Sequence, residues 1–312
     1  LGPVVTVAPY QWKIKQVLIF GGDKWDRPAG FRPRRFSPRV VAGAGFQQDG
    51  ATHEGEFSMS AAVQMPTRRN MTDSEWQARC DLAALYRICD HFNWTDTINT
   101  HMSVRIPGEP NHFLINRYGE MFDEVTASSL LKMDLDGNVL GEEGRFNNAG
   151  FIIHSGVYKA RPDANCVLHT HTRAGAGISL LENGIRPISQ DALHVYDDLA
   201  YHAYGVPATQ EECDALGRTC ADGRCVVLLN HGLLTLGETT HGALMRLYML
   251  ERACEVELMA RTMNAPIAKI DDYVIGKAAE RMKKIRSVDT YGLMEWKALV
   301  RTVERKGTDF RS

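Results

Sequence analysis

The stretch Val167-Leu168-His169-Thr170-His171-Thr172 sets two histidines two residues apart behind an apolar lead-in that begins at Cys166. On a strand, alternate side chains leave the same face, so His169 and His171 project together. Two imidazoles held on rigid backbone suit a borderline-soft divalent ion such as zinc. A third candidate, His231, ends the apolar run Val226-Val227-Leu228-Leu229-Asn230 and precedes Gly232, a turn residue. If the two strand ends meet, three imidazoles converge and leave coordination positions open, as in catalytic rather than structural metal sites. Taken singly, each histidine is more often a satisfied core or surface residue than a ligand, so the argument rests on the whole pattern.

Composition narrows the function classes. With 36 basic against 38 acidic residues in 312, the net charge is −2, which gives no electrostatic footprint for nucleic acid or an anionic membrane. Seven cysteines without CxxC spacing read as reduced thiols of a cytoplasmic protein. No apolar run reaches the roughly 18 residues of a membrane span, and no signal peptide is evident.

The elements that must carry the histidines follow from periodicity and turn residues. Residues 1–70, rich in Pro, Gly and Arg, lack periodicity and are expected to form a disordered or irregular arm, with one short apolar run from Val17 to Phe20 as a strand candidate. Because the chain begins with Leu, two readings stand open: a natural start at Met59, Met65 or Met71, or a genuine extension that serves in assembly. Thr72 and Glu75 form a capping box for a helix running to about His91. Thr97–Ile106 reads as a loop entering an edge-type strand, and His112–Asn116 as the strand returning after Pro107-Gly108. Thr126–Ser129 begins a short helical segment. Met133–Leu140 holds the Asp136-Gly137 hairpin signal. Asn147–Gly150 is a flexible link before a helix from Phe151 to Ala160. Arg173–Leu181 and Thr209–Cys220 are helices, and 185–206 is irregular. Thr240 to Met263 is a long amphipathic helix with Leu244, Leu247, Tyr248, Met249, Ala253, Val256 and Met259 as its buried stripe. The expected organisation is an α/β domain over 71–268 on a largely antiparallel sheet, then a helical tail over 269–312.

Six segments occur in order: Ile98–Arg105, Phe122–Ser128, Ala149–Ser155, Ala160–Ala164, Leu168–Thr172 and Asn230–Gly232. Together they resemble the class II aldolase/adducin family over residues 75–265. That resemblance implies a three-layer α/β/α sandwich with a largely antiparallel central sheet. It further implies a homotetramer with active sites between subunits and a small-molecule substrate. It places the family's metal-binding histidines at His169, His171 and His231. Zinc is the first expectation for the divalent metal, with iron(II) or manganese as alternatives. In the sugar-phosphate aldolases, zinc stabilises the enediolate left by C–C cleavage, which is Lewis-acid stabilisation of a developing oxyanion.

The departures bear on substrate and mechanism. The aldolases carry a catalytic glutamate four residues before the helix His, which is His154 here, and that position is Gly150. Glu142 and Glu143 lie too far upstream for simple replacement. Their phosphate cradle becomes Asn99-Thr100-His101, Tyr118-Gly119 and Asn148-Ala149, in which bulky His101 and Tyr118 suit an aromatic or carboxylated substrate better than a phosphate. His101, Tyr118 and His154 are the catalytic candidates, and Asn99, Asn148, Gly150 and Gln190 the substrate-binding ones. A histidine handles protons near neutral pH, so His101 can stand in for the glutamate. The first expectation is a metal-dependent lyase performing retro-aldol cleavage or decarboxylation on a non-phosphorylated hydroxy-carbonyl or carboxylate substrate. A non-haem iron(II) oxygenase on the same fold and a non-catalytic adducin-like assembly module are the alternatives.

Overall fold

The computed structural model describes residues 71–312 apart from Pro207, Ala208, Thr308 and the side chain of Asp222. The expected N-terminal arm, its Val17–Phe20 strand and the question of the start therefore lie outside the described residues. The strands are β1 (His101–Ile106), β2 (Glu109–Ile115), β3 (Leu131–Asp134), β4 (Cys166–Thr170), β5 (Leu199–His202), β6 (Cys225–Leu228) and β7 (Gly232–Gly237). They form one seven-stranded sheet in the order β3-β2-β1-β4-β7-β6-β5. Every neighbouring pair is antiparallel except β5 and β6.

Helices α1 (Asp73–His91), α2 (Asn148–Ala160), α3 (Arg173–Ser179), α4 (Gln190–Val195), α5 (Gln210–Asp222), α6 (Thr240–Thr262), α7 (Asp272–Arg286) and α8 (Leu293–Glu304) complete the fold. Strand alternation divides the core in two. On one face Phe113, Val167, Leu234 and Leu236 pack against Phe151, Val157 and Tyr158 of α2 and Leu216 of α5. On the other, Met102, Val104, Leu168 and Leu233 pack against Leu82 and Leu85 of α1 and Leu247 and Leu250 of α6. The result is the expected three-layer α/β/α sandwich. The α2 face receives His101, Ser103 and Arg105 from β1 and His169 from β4, because these positions share the parity of Val167.

Several local expectations are corrected. β1 is a central strand, flanked by β2 and β4, and all six of its residues are buried. The capping box forms by half: Thr72 Oγ1 accepts from Glu75 N at 3.1 Å, but the Glu75 carboxylate takes Arg79 at 3.0 Å and Lys132 at 2.9 Å. The fully buried Arg79 guanidinium needs that charge, and the Glu142 carboxylate joins it. Thr126–Ser129 forms turns instead of a helix, held by bonds from Ala127 N to Phe310 O and Ser128 N to Ser312 O. The Asn147–Gly150 link is the start of α2, with Asn147 Oδ1 capping Ala149 N and Gly150 N. Residues 185–206, expected to be irregular, contain α4 and β5, and a strand that the sequence does not announce, β7, follows His231. Both strands are short, and β7 is apolar on both faces, so neither shows alternation. Met259, expected in the stripe of α6, is 56 % exposed. All seven cysteines are buried thiols outside any disulfide. Among the described residues, no helix is long and apolar enough to cross a membrane.

Candidate metal centre

His169 lies at the end of central β4 and His171 just beyond it. His231 occupies the β6–β7 hairpin, where Asn230 turns the chain with φ of 61°. That turn is fastened from α3: Asn230 N donates to Ser179 O at 2.9 Å and His231 N to Ser179 Oγ at 3.1 Å. The ligand atoms of His169, His171 and His231 all lie within 4.8 Å of one another. His171 Nε2 is 2.9 Å from His169 Nε2 and 2.9 Å from His231 Nε2.

The far nitrogens decide what faces inward. His169 Nδ1 donates to Leu233 O at 2.9 Å, and His171 Nδ1 to Asp96 Oδ2 at 2.8 Å. With both Nδ1 atoms donating outward, both rings turn Nε2 toward the common point. Burial first, then the neighbouring imidazoles, pushes the His169 pKa well down, and burial likewise brings His231 down to about 4. Neutral lone pairs this close repel. A proton relieves one contact at a time, whereas one divalent cation accepts all three, so the donor set fits a metal.

Beside the triad runs a buried polar chain. His101 pairs with His169 across β1 and β4, their ring centroids 5.0 Å apart. His101 Nδ1 meets His154 Nε2 at 2.8 Å, His154 Nδ1 meets Ser103 Oγ, and Ser103 Oγ meets Tyr158 Oη at 2.7 Å. Burial drives the His101 pKa far down and that of His154 to about 3. Gly150 lies under His101: a Cβ there would come 2.6 Å from His101 Cδ2 and 2.8 Å from Nε2. The space that a side chain at position 150 would take is thus filled by the imidazole of His101.

The pocket over the histidines has walls from Ile152, Ile153, Leu216 and Leu229, and no lysine or arginine of the described residues lines it. Of the sequence candidates, Asn99, His101, His169, His171 and His231 line it. His154 is fully buried behind His101, and Gly150 forms the floor beneath that ring. Tyr118 does not join them. It sits 44 % exposed at its turn, outside the pocket wall of its own chain. Asn148 is exposed at the start of α2, where the neighbouring Asn147 faces the pocket instead, and Gln190 is exposed at the start of α4. Glu142 is committed to Arg79 and so is withdrawn from catalysis.

Three residues of the site escaped sequence reasoning. Asp96 orients His171 across 75 positions of chain, with no local spacing to betray it. His202 and Glu212 lie on the far wall, 2.9 Å apart, and His202 also meets Thr219 at 2.9 Å. His202 stands on β5, whose four residues are too short a run to announce a strand in sequence, although Ala200 and His202 share its buried face in the folded chain.

Residues 80–258 match the family model described as Class II Aldolase and Adducin N-terminal domain. A Pseudomonas aeruginosa protein provisionally named an aldolase class 2 protein is 38 % identical over 259 residues, covering 81 % of this chain and 100 % of that one. Mouse alpha-adducin is 37 % identical over 247 residues, covering 73 % of this chain, which spans about a third of the adducin (33 %). The crystal structure of an aldolase II superfamily protein from Pseudomonas syringae superposes with a TM-score of 0.75 at 40 % identity, covering 78 % of this chain and 99 % of that one. L-fuculose 1-phosphate aldolase from Glaciozyma antarctica gives 0.68 at 28 % identity, covering 79 % and 96 %.

Proposed function

The chain belongs to the class II aldolase and adducin N-terminal domain family, and we propose that it is a metal-dependent lyase acting on a non-phosphorylated hydroxy-carbonyl or carboxylate substrate. The reaction is retro-aldol cleavage or decarboxylation. The observation that carries this reading is the convergence of three imidazole Nε2 atoms, two of them with lone pairs fixed inward by Leu233 O and Asp96. A divalent ion held there, zinc in this reading, supplies Lewis-acid polarisation of the substrate oxygens and stabilises the charge that develops on them.

The residues of the chain define the rest. The apolar wall of Ile152, Ile153, Leu216 and Leu229 excludes water from one side of the substrate, and without Lys or Arg it offers a phosphate dianion no charge partner. His101 stands on the substrate side of His169, in the place where the sugar-phosphate aldolases carry a glutamate. Asn99 and Asn147 supply amide groups at the rim. Tyr118, exposed and remote from the pocket of its own chain, is available to a neighbouring copy, in keeping with a homotetramer.

Elemental analysis of protein purified without added metal tests the reading. About one zinc per chain is expected, lost in His231→Ala. A chain that stays empty in excess zinc overturns the enzyme reading and favours an assembly role like that of the adducins. Chelator-sensitive release of a carbonyl fragment or CO2 from non-phosphorylated hydroxy acids, and not from their phosphate esters, is the second expected result. Iron-dependent oxygen consumption would overturn the lyase in favour of an oxygenase.

A further inference from the structure

The chain His101–His154–Ser103–Tyr158 is closed at its inner end, and that end orients all of it. Tyr158 Oη is buried, and among the described residues its one hydrogen-bond partner is Ser103 Oγ. Arg105 clamps the tyrosine without offering it an acceptor: its guanidinium lies 4.5 Å from the ring centroid and donates to Tyr158 O at 3.1 Å. The phenol hydrogen therefore goes to Ser103 Oγ. The serine hydrogen goes on to His154 Nδ1, which makes His154 an Nε2–H tautomer. His154 Nε2–H donates to His101 Nδ1, and the one remaining hydrogen of His101 resides on Nε2. The opposite direction would leave the Tyr158 hydroxyl as a buried donor with no acceptor, which is costly.

We propose that His101 is a fixed hydrogen-bond donor to the oxygen that gains charge in the substrate, with Ser103 and His154 as the positioning residues that hold its Nε2–H toward the pocket and Tyr158 as the closed end of their chain. Its Nδ1 is occupied as an acceptor and its Nε2 lone pair is absent, so the ring has no basic site with which to abstract a proton. Full release of the Nε2 hydrogen would send the deficit back through the chain to a buried phenolate. The group consequently stabilises by donation without transfer. Its catalytic meaning rests on the lyase reading, whereas the direction of the chain does not depend on a metal.

Nitrogen-15 NMR of the full chain labelled at its histidines reads the tautomers directly. His101 and His154 are identified by the coupling between their rings across the shared hydrogen bond and by the signals lost in His101→Asn. Both rings are expected protonated at Nε2 and bare at Nδ1, favoured about tenfold or more by one unmet buried donor. Tyr158→Phe leaves this unchanged, because Ser103 then still has only His154 to donate to. Ser103→Ala releases it, giving mixed tautomers at both rings. A His101 protonated at Nδ1 in the unaltered chain overturns the proposal. The two readings fail separately: an Nε2–H ring in a chain that binds no metal sinks the lyase and keeps the polarity, and a metal-loaded chain with Nδ1–H does the reverse.

Discussion

Gly150→Ala is a sensitive probe of how the site is packed. At an exposed helix position alanine would stabilise by about 0.5–1 kcal/mol. Here the new methyl would stand 2.6, 2.8 and 2.9 Å from three atoms of the His101 ring, closer than van der Waals contact permits. The ring has little room to retreat, because it is buried, bonded to His154 at 2.8 Å and packed against His169. Overpacking costs about 1–3 kcal/mol, and a broken His101–His154 bond about 1–3 more. Net destabilisation of about 2 kcal/mol or more is expected once the helical gain is subtracted. Urea unfolding of the wild type, Gly150→Ala, His101→Ser and the double variant forms a cycle that isolates the contact. The double variant should recover much of the loss, with a coupling of about 1–3 kcal/mol. A neutral or stabilising Gly150→Ala, or additive effects in the cycle, would refute the claim that His101 fills the space above this glycine.

Three further outcomes follow from the same structure. Asp96→Asn leaves His171 in place but removes the carboxylate at 2.8 Å, so zinc affinity in a competition titration should fall about 10–100-fold with stoichiometry retained at saturation. Arg79→Met leaves the buried Glu142 carboxylate without its cation and Glu75 with Lys132 alone, and unfolding should show a loss of about 3–5 kcal/mol, far beyond a surface substitution. Burial brings His154 to about 3 in the folded chain against 6.5 unfolded, so between those values the unfolded state binds the extra proton. The contribution of His154 to stability is therefore full above pH 6.5 and declines toward pH 3, by about 1.4 kcal/mol per pH unit, a slope that His154→Gln should remove.

Much of the architecture was legible because it rests on local rules. Thr72 announced α1, Asp136-Gly137 the turn after β3, and the His-x-His parity of β4 put His169 and His171 on one side. The ordered segments from Ile98 to Gly232 carried the family, and with it the sandwich, and the apolar run ending at His231 offered the third candidate imidazole. What stayed hidden was whatever depends on contacts across long stretches of chain. β7 is apolar on both faces because both faces are covered, so it has no period to read, and four-residue β5 exists because β6 lies beside it. Glu75 looked like half of a capping box, but the buried charge of Arg79 outbid a free backbone N–H.

At the site the division is similar. Residue types and spacing indicated three candidate imidazoles, and the family resemblance added a glycine where a carboxylate was expected and bulky groups in place of a phosphate cradle. Only the folded chain brought Asp96 to His171, laid His101 over Gly150, turned Tyr118 away, and joined His101 to Tyr158 through His154 and Ser103. The reason is physical: a sequence lists which atoms can donate and accept, but the direction of a hydrogen-bond chain is decided at its buried end, where tertiary packing leaves a donor a single acceptor.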